Sequence, residues 1–286
     1  MSSASLPVWI RERRLSLGAL HGVRRVISRG RLSTVCDEAR CPNRGECFAR
    51  GTATFLTMGD TCTRACLYCS IAHGRPRALD PEEPVALARA AAAMGLKHVV
   101  VTSVDRDDLP NGGAAHFAAV IAAVRHLEPC PTIEVLTPDF RGDMGAVNVV
   151  LAAKPDVYNH NIETVRRLYP EVRRSGMYDW ALDVIRHVGR NGDRVLTKSG
   201  LMVGLGEERV EVEQALCDLA AAGCRVVTVG QYLRPTRMQV PVARYWTPAE
   251  FAELERFGSA RGLEVIAGPF VRSSYRAEEA FVRVCR

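Results

Sequence analysis

The sequence predicts an α/β chain: a partial (β/α)6 TIM-like barrel with N-terminal and C-terminal extensions. Three observations carry that expectation. From Thr54 onward, short β-branched runs alternate with longer helical patterns. Two of the runs, Val99-Val100-Val101 and Val226-Val227, are apolar on both faces, as strands buried in a parallel sheet should be. The strand-then-helix units also follow one another at a spacing that implies right-handed crossovers between parallel strands. A doubly wound sheet is the alternative arrangement of the same units. The expected division is residues 1–50 as N-terminal extension, 51–268 as barrel and 269–286 as C-terminal tail.

Residues 1–50 read as polar, basic and irregular, with one helix around Leu17 to Ile27. Strands are expected at Thr54–Met58, His98–Ser103, Thr132–Leu136, Val157–Asn161, Val195–Met202, Arg225–Val229 and Leu263–Ala267. Helices are expected at Val85–Met94, Ala114–Leu127, Gly142–Ala153, Asp179–Gly189, Glu208–Ala222 and Pro248–Arg261. In such a barrel, functional residues belong at the C-terminal ends of strands and in the loops that follow. Those loops hold Thr102–Gly113, Thr137-Pro138-Asp139, Asn159-His160-Asn161-Ile162-Glu163, Lys198-Ser199-Gly200 and Gly204-Leu205-Gly206-Glu207. Polar groups thus converge on one rim. Gly204-Leu205-Gly206 lacks the full phosphate-binding pattern. His160, beside asparagines, reads as a hydrogen-bonded structural histidine.

At 286 residues, with 47% hydrophobic and 24% charged, the chain suits one soluble α/β barrel with a large core. No apolar run approaches the roughly 20 residues that span a bilayer. The longest candidate, Ala86 to Met94, is short and contains Arg89. Met1 to Arg31 is rich in arginine and serine, which raises a transit peptide. Against it, the arginine-rich part runs almost directly into a cysteine array. An apolar signal region is lacking, so the ten cysteines read as metal ligands in a reducing compartment, and a cytoplasmic location is expected. The net charge of +6 suits either a solvated arginine-rich surface or one that meets an acidic partner. With 6% aromatics and no basic run interleaved with them, nucleic acid is not an expected partner.

The chemistry concentrates in two cysteine arrays. Cys62, Cys66 and Cys69 form C-x3-C-x2-C in the loop directly after the first strand. Thiolates gathered this closely suit a soft cation such as iron or zinc. A structural zinc site would take a fourth ligand, and none lies at finger-like spacing. A cubane on three cysteines instead leaves one iron open, so the spacing favours an iron–sulfur cluster. Cys36, Cys41 and Cys47 form C-x4-C-x5-C around the turn formers Pro42, Asn43 and Gly45. A zinc loop is the competing reading there. Cys130, Cys217, Cys224 and Cys285 are unclustered and read as packing residues.

The cysteine loop after the first barrel strand resembles that of the radical S-adenosylmethionine superfamily. Within it the chain resembles lipoyl synthases over nearly its whole length. The matching stretches are Glu38–Asn43, Thr61–Arg64, Thr102–Gly113, Tyr158–Thr164, Lys198–Glu207, Tyr232–Arg237 and Gly268–Tyr275. The resemblance implies insertion of two sulfur atoms at C6 and C8 of an octanoyl chain carried on a lysine. It implies that Cys62, Cys66 and Cys69 hold a [4Fe–4S] cluster that binds S-adenosylmethionine and, on receiving an electron, generates a 5′-deoxyadenosyl radical. It implies that Cys36, Cys41, Cys47 and Ser274 hold an auxiliary, sulfur-donating [4Fe–4S] cluster in the extensions. Without it, Ser273-Ser274 reads as a surface turn. Asn161, Glu163 and Lys198 are implied contacts to S-adenosylmethionine or the bound chain. The implied partners are octanoylated lipoyl carrier domains (the E2 subunits of 2-oxoacid dehydrogenases and the glycine cleavage H protein), an electron donor such as ferredoxin or flavodoxin, and a cluster-repair carrier. A monomer independent of membranes is expected. Phe48, Tyr68 and Val165-Arg166 depart from the family pattern without removing a ligand. Other readings are another radical S-adenosylmethionine sulfur-inserting enzyme, or a zinc-stabilised binding module.

Overall fold

The computed structural model describes residues 6–11, 20–49 and 53–285. The strands are β1 (Ser33–Thr34), β2 (Thr54–Thr57), β3 (Thr61–Cys62), β4 (Ala72–His73), β5 (His98–Ser103), β6 (Thr132–Leu136), β7 (Val157–Asn159), β8 (Leu196–Val203), β9 (Val226–Gln231) and β10 (Glu264–Gly268). One sheet has the order β1-β2-β5-β6-β7-β8-β9-β10, in which every pair is parallel except β1 with β2. The expected strands are all present, with ends shifted by two residues at most. The order follows the chain, so each crossover helix packs on the same face of the sheet.

The helices are α1 (Val8–Arg11), α2 (Leu20–Arg29), α3 (Val35–Glu38), α4 (Arg44–Ala49), α5 (Glu83–Ala93), α6 (Ala114–Arg125), α7 (Met144–Ala152), α8 (Tyr169–Val172), α9 (Tyr178–Asn191), α10 (Arg209–Ala221), α11 (Pro248–Ser259) and α12 (Ala277–Cys285). Local chemistry starts several of them. Asp143 caps α7 by accepting from Gly145 and Ala146, and Thr247 with Glu250 forms a capping box at α11, where Pro248 occupies the first turn. Two apolar clusters fill the space between sheet and helices. One joins Val99, Val101, Ile133 and Val135 to Phe117 and Val147, and the other joins Leu201, Val203, Val227 and Val229 to Leu216 and Leu254.

The N-terminal extension is more ordered than expected. Thr34 caps α3 by accepting from the Asp37 amide, and Ser33–Thr34 adds an edge strand to β2. The expected start of a helix at Leu17 and the boundary after residue 50 lie outside the described residues, as does the side chain of Phe48. The C-terminal tail holds a helix not expected from sequence. Phe281 and Val284 of α12 pack on Val157, Leu196 and Val226, the first residues of β7, β8 and β9. That helix therefore covers the lower end of the barrel.

The other face of the sheet is polar and holds the tail. Ser273 contacts Asn159 of β7, and its neighbour Ser274 contacts Thr54 of β2. On a flat sheet those strands, three places apart, would be about 14 Å from one another. Adjacent residues span about 3.8 Å. The sheet must therefore curl around the tail, which makes a barrel with a filled lumen. At Gly230 an added Cβ would stand 2.1 Å from the Val271 carbonyl oxygen, so the tail lies directly against the β9 backbone.

Candidate active site

The loop after β2 is shaped before any cofactor is considered. Thr61–Cys62 pairs with Ala72–His73, and the Gly74 amide donates to the Cys62 carbonyl at 2.9 Å, closing the loop on itself. Neighbouring segments hold it. Leu67 donates to the Val172 carbonyl at 2.9 Å, Val240 donates to the Leu67 carbonyl at 3.0 Å, and the Gln239 side chain donates to the Cys69 carbonyl at 3.0 Å.

Arg64, inside the loop, is the main anchor. Its guanidinium is 1% exposed and forks to Asp107 at 2.7 and 2.9 Å and to Asp139 at 2.9 and 2.8 Å. Asp105 stands 3.5 Å away, and Arg173 reaches both Asp139 and the Asn161 carbonyl. Burial would raise the Asp139 carboxyl, but Arg64 and Arg173 outweigh it and hold it at about 2. The loops after β5, β6 and β7 are thus fastened to the cysteine loop through two buried guanidinium groups.

The thiols fit a positively charged centre. The Cys62 sulfur accepts from the amides of Arg64 at 3.4 Å and Asp105 at 3.3 Å, and the Cys69 sulfur accepts from Ile71 at 3.5 Å. Burial pushes Cys62 up to about 12 and Cys69 up to about 11, and it raises Cys66 as well. Buried thiolates require a cationic partner, and the amides that point at sulfur suit iron–sulfur ligation. Among the described residues no three Cys, His, Asp or Glu side chains close round one point. The fold therefore supplies proximity and donor type rather than a finished coordination sphere.

The second array lies where the two extensions meet. The Thr54 amide donates to the Cys36 sulfur, and Cys41 and Cys47 stand close enough to act electrostatically on Cys36. Burial first, then those two thiols, push Cys36 up to about 12. The Thr54 hydroxyl donates to the Ser274 hydroxyl at 2.7 Å, which places that serine beside Cys36. Asn43 donates to the Phe270 carbonyl at 2.7 Å and Tyr275 donates to Glu46 at 3.0 Å, fixing the tail against the array. Ser70 donates to the Glu38 carbonyl at 3.0 Å, joining the two cysteine loops. Cys47 and Tyr275 also line a cavity of about 310 Å³. Of the four donors only Cys47 lines that cavity, and it is the donor types, three thiols and one hydroxyl, that suit an iron–sulfur cluster. Ser273 and Ser274 do lie in a turn, but it is half-buried against the barrel and not at the surface.

Between the arrays runs a buried polar chain. Glu134 accepts from Lys198 at 2.8 and 3.0 Å and from Asn159 at 3.0 Å, with His98 at 3.4 Å. Asn161 donates to Glu163 at 3.1 Å, and Glu163 holds a left-handed φ of 65°. Burial raises the Glu163 carboxyl. Lys198 is therefore tied to Glu134 within the lumen. Burial alone would raise Glu134 too, but Lys198 and His98 outweigh it and bring the carboxyl down to about 2. A carboxyl depressed in the folded state stabilises above its unfolded pKa near 4.5, and that contribution is lost as pH falls towards 2. Glu134 should accordingly account for about 3 kcal/mol of the stability that the wild type loses on acidification across that window, beside the share of Asp139. Glu134→Gln should remove much of the slope and, with Lys198 left unpaired, lower stability at neutral pH. An unchanged slope would contradict the assignment.

Several other expectations can be placed. His160 is buried and bonded to the Thr137 carbonyl at 2.8 Å, as a structural histidine should be. The amides of Gly204 and Leu205 are taken by Glu207 at 2.6 and 2.9 Å, so that loop binds its own carboxylate. Cys224 packs in the core and Cys217 is half-buried, but Cys130 and Cys285 are exposed and are not packing residues. Sequence reasoning missed Glu134 and Arg173, and placed Asn159 on the rim without its bond to Glu134. A glutamate centred in Thr132–Leu136 and a lysine near the start of β8 were a legible opposite-charge pair. Arg173, on a short helix end, left no such sign.

An α/β barrel with this cysteine loop above its first strand is the architecture of radical S-adenosylmethionine enzymes. The Radical SAM superfamily model matches residues 56–219. Crystal structures of methylornithine synthase and of Streptococcus suis SuiB bound to S-adenosylmethionine share the fold. Each has a TM-score of 0.56, at 13% and 12% identity, covering 86% and 79% of this chain and 77% and 54% of theirs. Nearer relatives refine the class. A lipoyl synthase of Thioalkalivibrio sulfidiphilus is 53% identical over 97% of this chain and 88% of its own length. One of Thermus thermophilus is 51% identical over 96% and 86%. One of Xylella fastidiosa is 52% identical over 95% and 74%. The chain belongs to the lipoyl synthase family and is a radical S-adenosylmethionine sulfurtransferase. S-adenosylmethionine and a [4Fe–4S] cluster follow from that membership. No described helix is long and apolar enough to cross a membrane.

Proposed function

We propose that the protein inserts two sulfur atoms into an octanoyl chain carried on a lysine of a lipoyl carrier domain, and that both cysteine arrays hold [4Fe–4S] clusters. Cys62, Cys66 and Cys69 would hold the cluster that binds S-adenosylmethionine; Cys36, Cys41, Cys47 and Ser274 would hold the auxiliary one. When bound, the first cluster and S-adenosylmethionine supply a carbon radical able to take hydrogen from unactivated C–H bonds, and the second supplies sulfur. The observation that carries this reading is the tail threaded through the barrel to set the Ser274 hydroxyl against Thr54, beside Cys36.

The chain's own residues then have separable tasks. Arg64 and Arg173 fix the cysteine loop against the strand ends. Asn161 and Glu163 offer a hydrogen-bonded amide–carboxyl pair to the hydroxyls of S-adenosylmethionine. The covered lower end and filled lumen exclude water from the space where a radical would travel. A hydroxyl among thiolates is a hard ligand on a softer cluster, which suits an iron that must be released. Residues 1–50 and 269–286 act as one cluster-bearing unit around the barrel of 51–268. The partners are octanoylated carrier domains, a ferredoxin or flavodoxin as electron donor, and a carrier that rebuilds the auxiliary cluster. The net positive charge suits an acidic carrier surface.

The test is anaerobic. The reconstituted protein should hold about eight irons per chain, as two cubanes require. It should add two sulfurs to an octanoyl-lysine peptide, read by mass spectrometry. Cys41→Ala should retain S-adenosylmethionine cleavage, lose about half the iron and add no sulfur. Zinc in place of iron, or full sulfur insertion by Cys41→Ala, would overturn the proposal.

A further inference from the structure

The Ser273 hydroxyl is occupied on both sides. It accepts from Asn159 Nδ2 at 2.8 Å and donates to Asn161 Oδ1 at 2.7 Å. Neither asparagine is loose. Asn159 is wholly buried and donates also to Glu134, which Lys198 holds by two bonds. Asn161 donates onward to Glu163, and Arg173 clasps its carbonyl at 3.0 Å. Two residues before Ser273 the β9 backbone leaves no room: an added Cβ on Gly230 would meet the Val271 carbonyl oxygen at 2.1 Å. The hydroxyl is thus the point where the tail is registered against the barrel, one residue before Ser274. A tail shifted by one residue would carry Ser274 away from Thr54 and Cys36.

We infer that Ser273 is a positioning residue: its hydroxyl, held between Asn159 and Asn161, sets the register that brings Ser274 to the Cys36–Cys41–Cys47 array. The inference rests on the reading of Ser274 as a cluster ligand, and the variants below separate the two. The bonds of the Ser273 hydroxyl go to the two asparagines and not to a thiol. It acts through the serine beside it. Losing two hydrogen bonds to well-held partners should loosen that seat by roughly tenfold or more in equilibrium terms.

The experiment uses the full chain, reconstituted anaerobically with iron and sulfide, and follows iron release to a ferrous chelator. Ser273→Ala should release the auxiliary iron about tenfold faster than wild type. The spectroscopic signature of the reduced auxiliary cluster should change with it, and iron at the Cys62 loop should be retained. Ser273→Thr should stay within about twofold of wild type, while Ser273→Val, equal in shape but without the hydroxyl, should behave as Ser273→Ala. That last pair decides the matter even if Ser273→Ala folds poorly. Equal release by the threonine and valine variants would overturn the inference. Ser274→Ala tests the ligand reading separately. If it releases iron faster while Ser273→Ala and Ser273→Val match wild type, the ligand reading stands and the positioning role falls. If Ser274→Ala also matches wild type, both fall.

Discussion

Replacing Arg64 by methionine should destabilise the protein by about 3–5 kcal/mol, the range found when one partner of a buried charge network is removed. Methionine keeps the length of the side chain and removes its fork. Asp107 and Asp139 then lose two hydrogen bonds each, and Asp139, 1% exposed, stays buried among carboxylates. Arg64→Lys should rescue little, because one ammonium cannot reproduce paired contacts to two carboxylates. The pH dependence gives a further check. Asp139 is held at about 2 in the folded protein, so its contribution is present above its unfolded value of 3.8 and fades as pH falls. The deficit of the Arg64→Met variant should therefore be largest at neutral pH and shrink below about pH 4. Denaturant unfolding across pH, under anaerobic conditions, reads both. A cost below about 1 kcal/mol would show that the loop is held by its backbone contacts instead.

Gly230→Ala should abolish sulfur insertion while sparing S-adenosylmethionine cleavage. The added methyl would meet backbone, the Val271 carbonyl oxygen at 2.1 Å and its carbon at 3.1 Å, so no side-chain rotation relieves it. Either β9 or the tail must move. β9 is paired along its length with β8 and β10 and is buried throughout, whereas the tail over 269–276 belongs to no strand. The tail should yield, and Ser274 should leave Thr54. Sulfur insertion is expected to fall at least about 100-fold, consistent with the sensitivity of positioned groups to shifts near 1 Å. The released tail should become a protease-sensitive segment around residues 269–276. Intact insertion with a protected tail would refute the account.

Much of this was readable from residues. The apolar runs Val99–Val101 and Val226–Val227 placed buried parallel strands correctly, because a strand covered on both faces admits little else. Spacing alone favoured an iron–sulfur cluster at Cys62, Cys66 and Cys69, whereas the Cys36, Cys41 and Cys47 array left zinc open and took its expected role from the family resemblance. What escaped was the inner face of the barrel. Periodicity reports which side chains avoid water, and it is silent on how polar groups satisfy one another: Lys198 and Asn159 were named from sequence, but their pairing with Glu134 and Ser273 was not. The helix Ala277–Cys285 was missed differently. Ala277, Ala280, Phe281 and Val284 recur at helical spacing, but the stretch is short and bears Arg276, Glu278, Glu279 and Arg283. Its stability comes from covering the barrel floor, which only the folded sheet provides.

The threaded tail has a consequence for how the molecule is made. Residues 269–276 follow every strand of the barrel in the chain, so during synthesis the sheet is complete before its interior is filled. Until the tail arrives, Glu134, Lys198 and Asn159 face an open, water-accessible channel, and the thiols of Cys36, Cys41 and Cys47 can be reached from that side. Loading the cluster proposed for that array would then be easiest in this interval, before the tail seats. Any later reloading would require the same segment to be drawn out again, against the bonds that Ser273 and Tyr275 make.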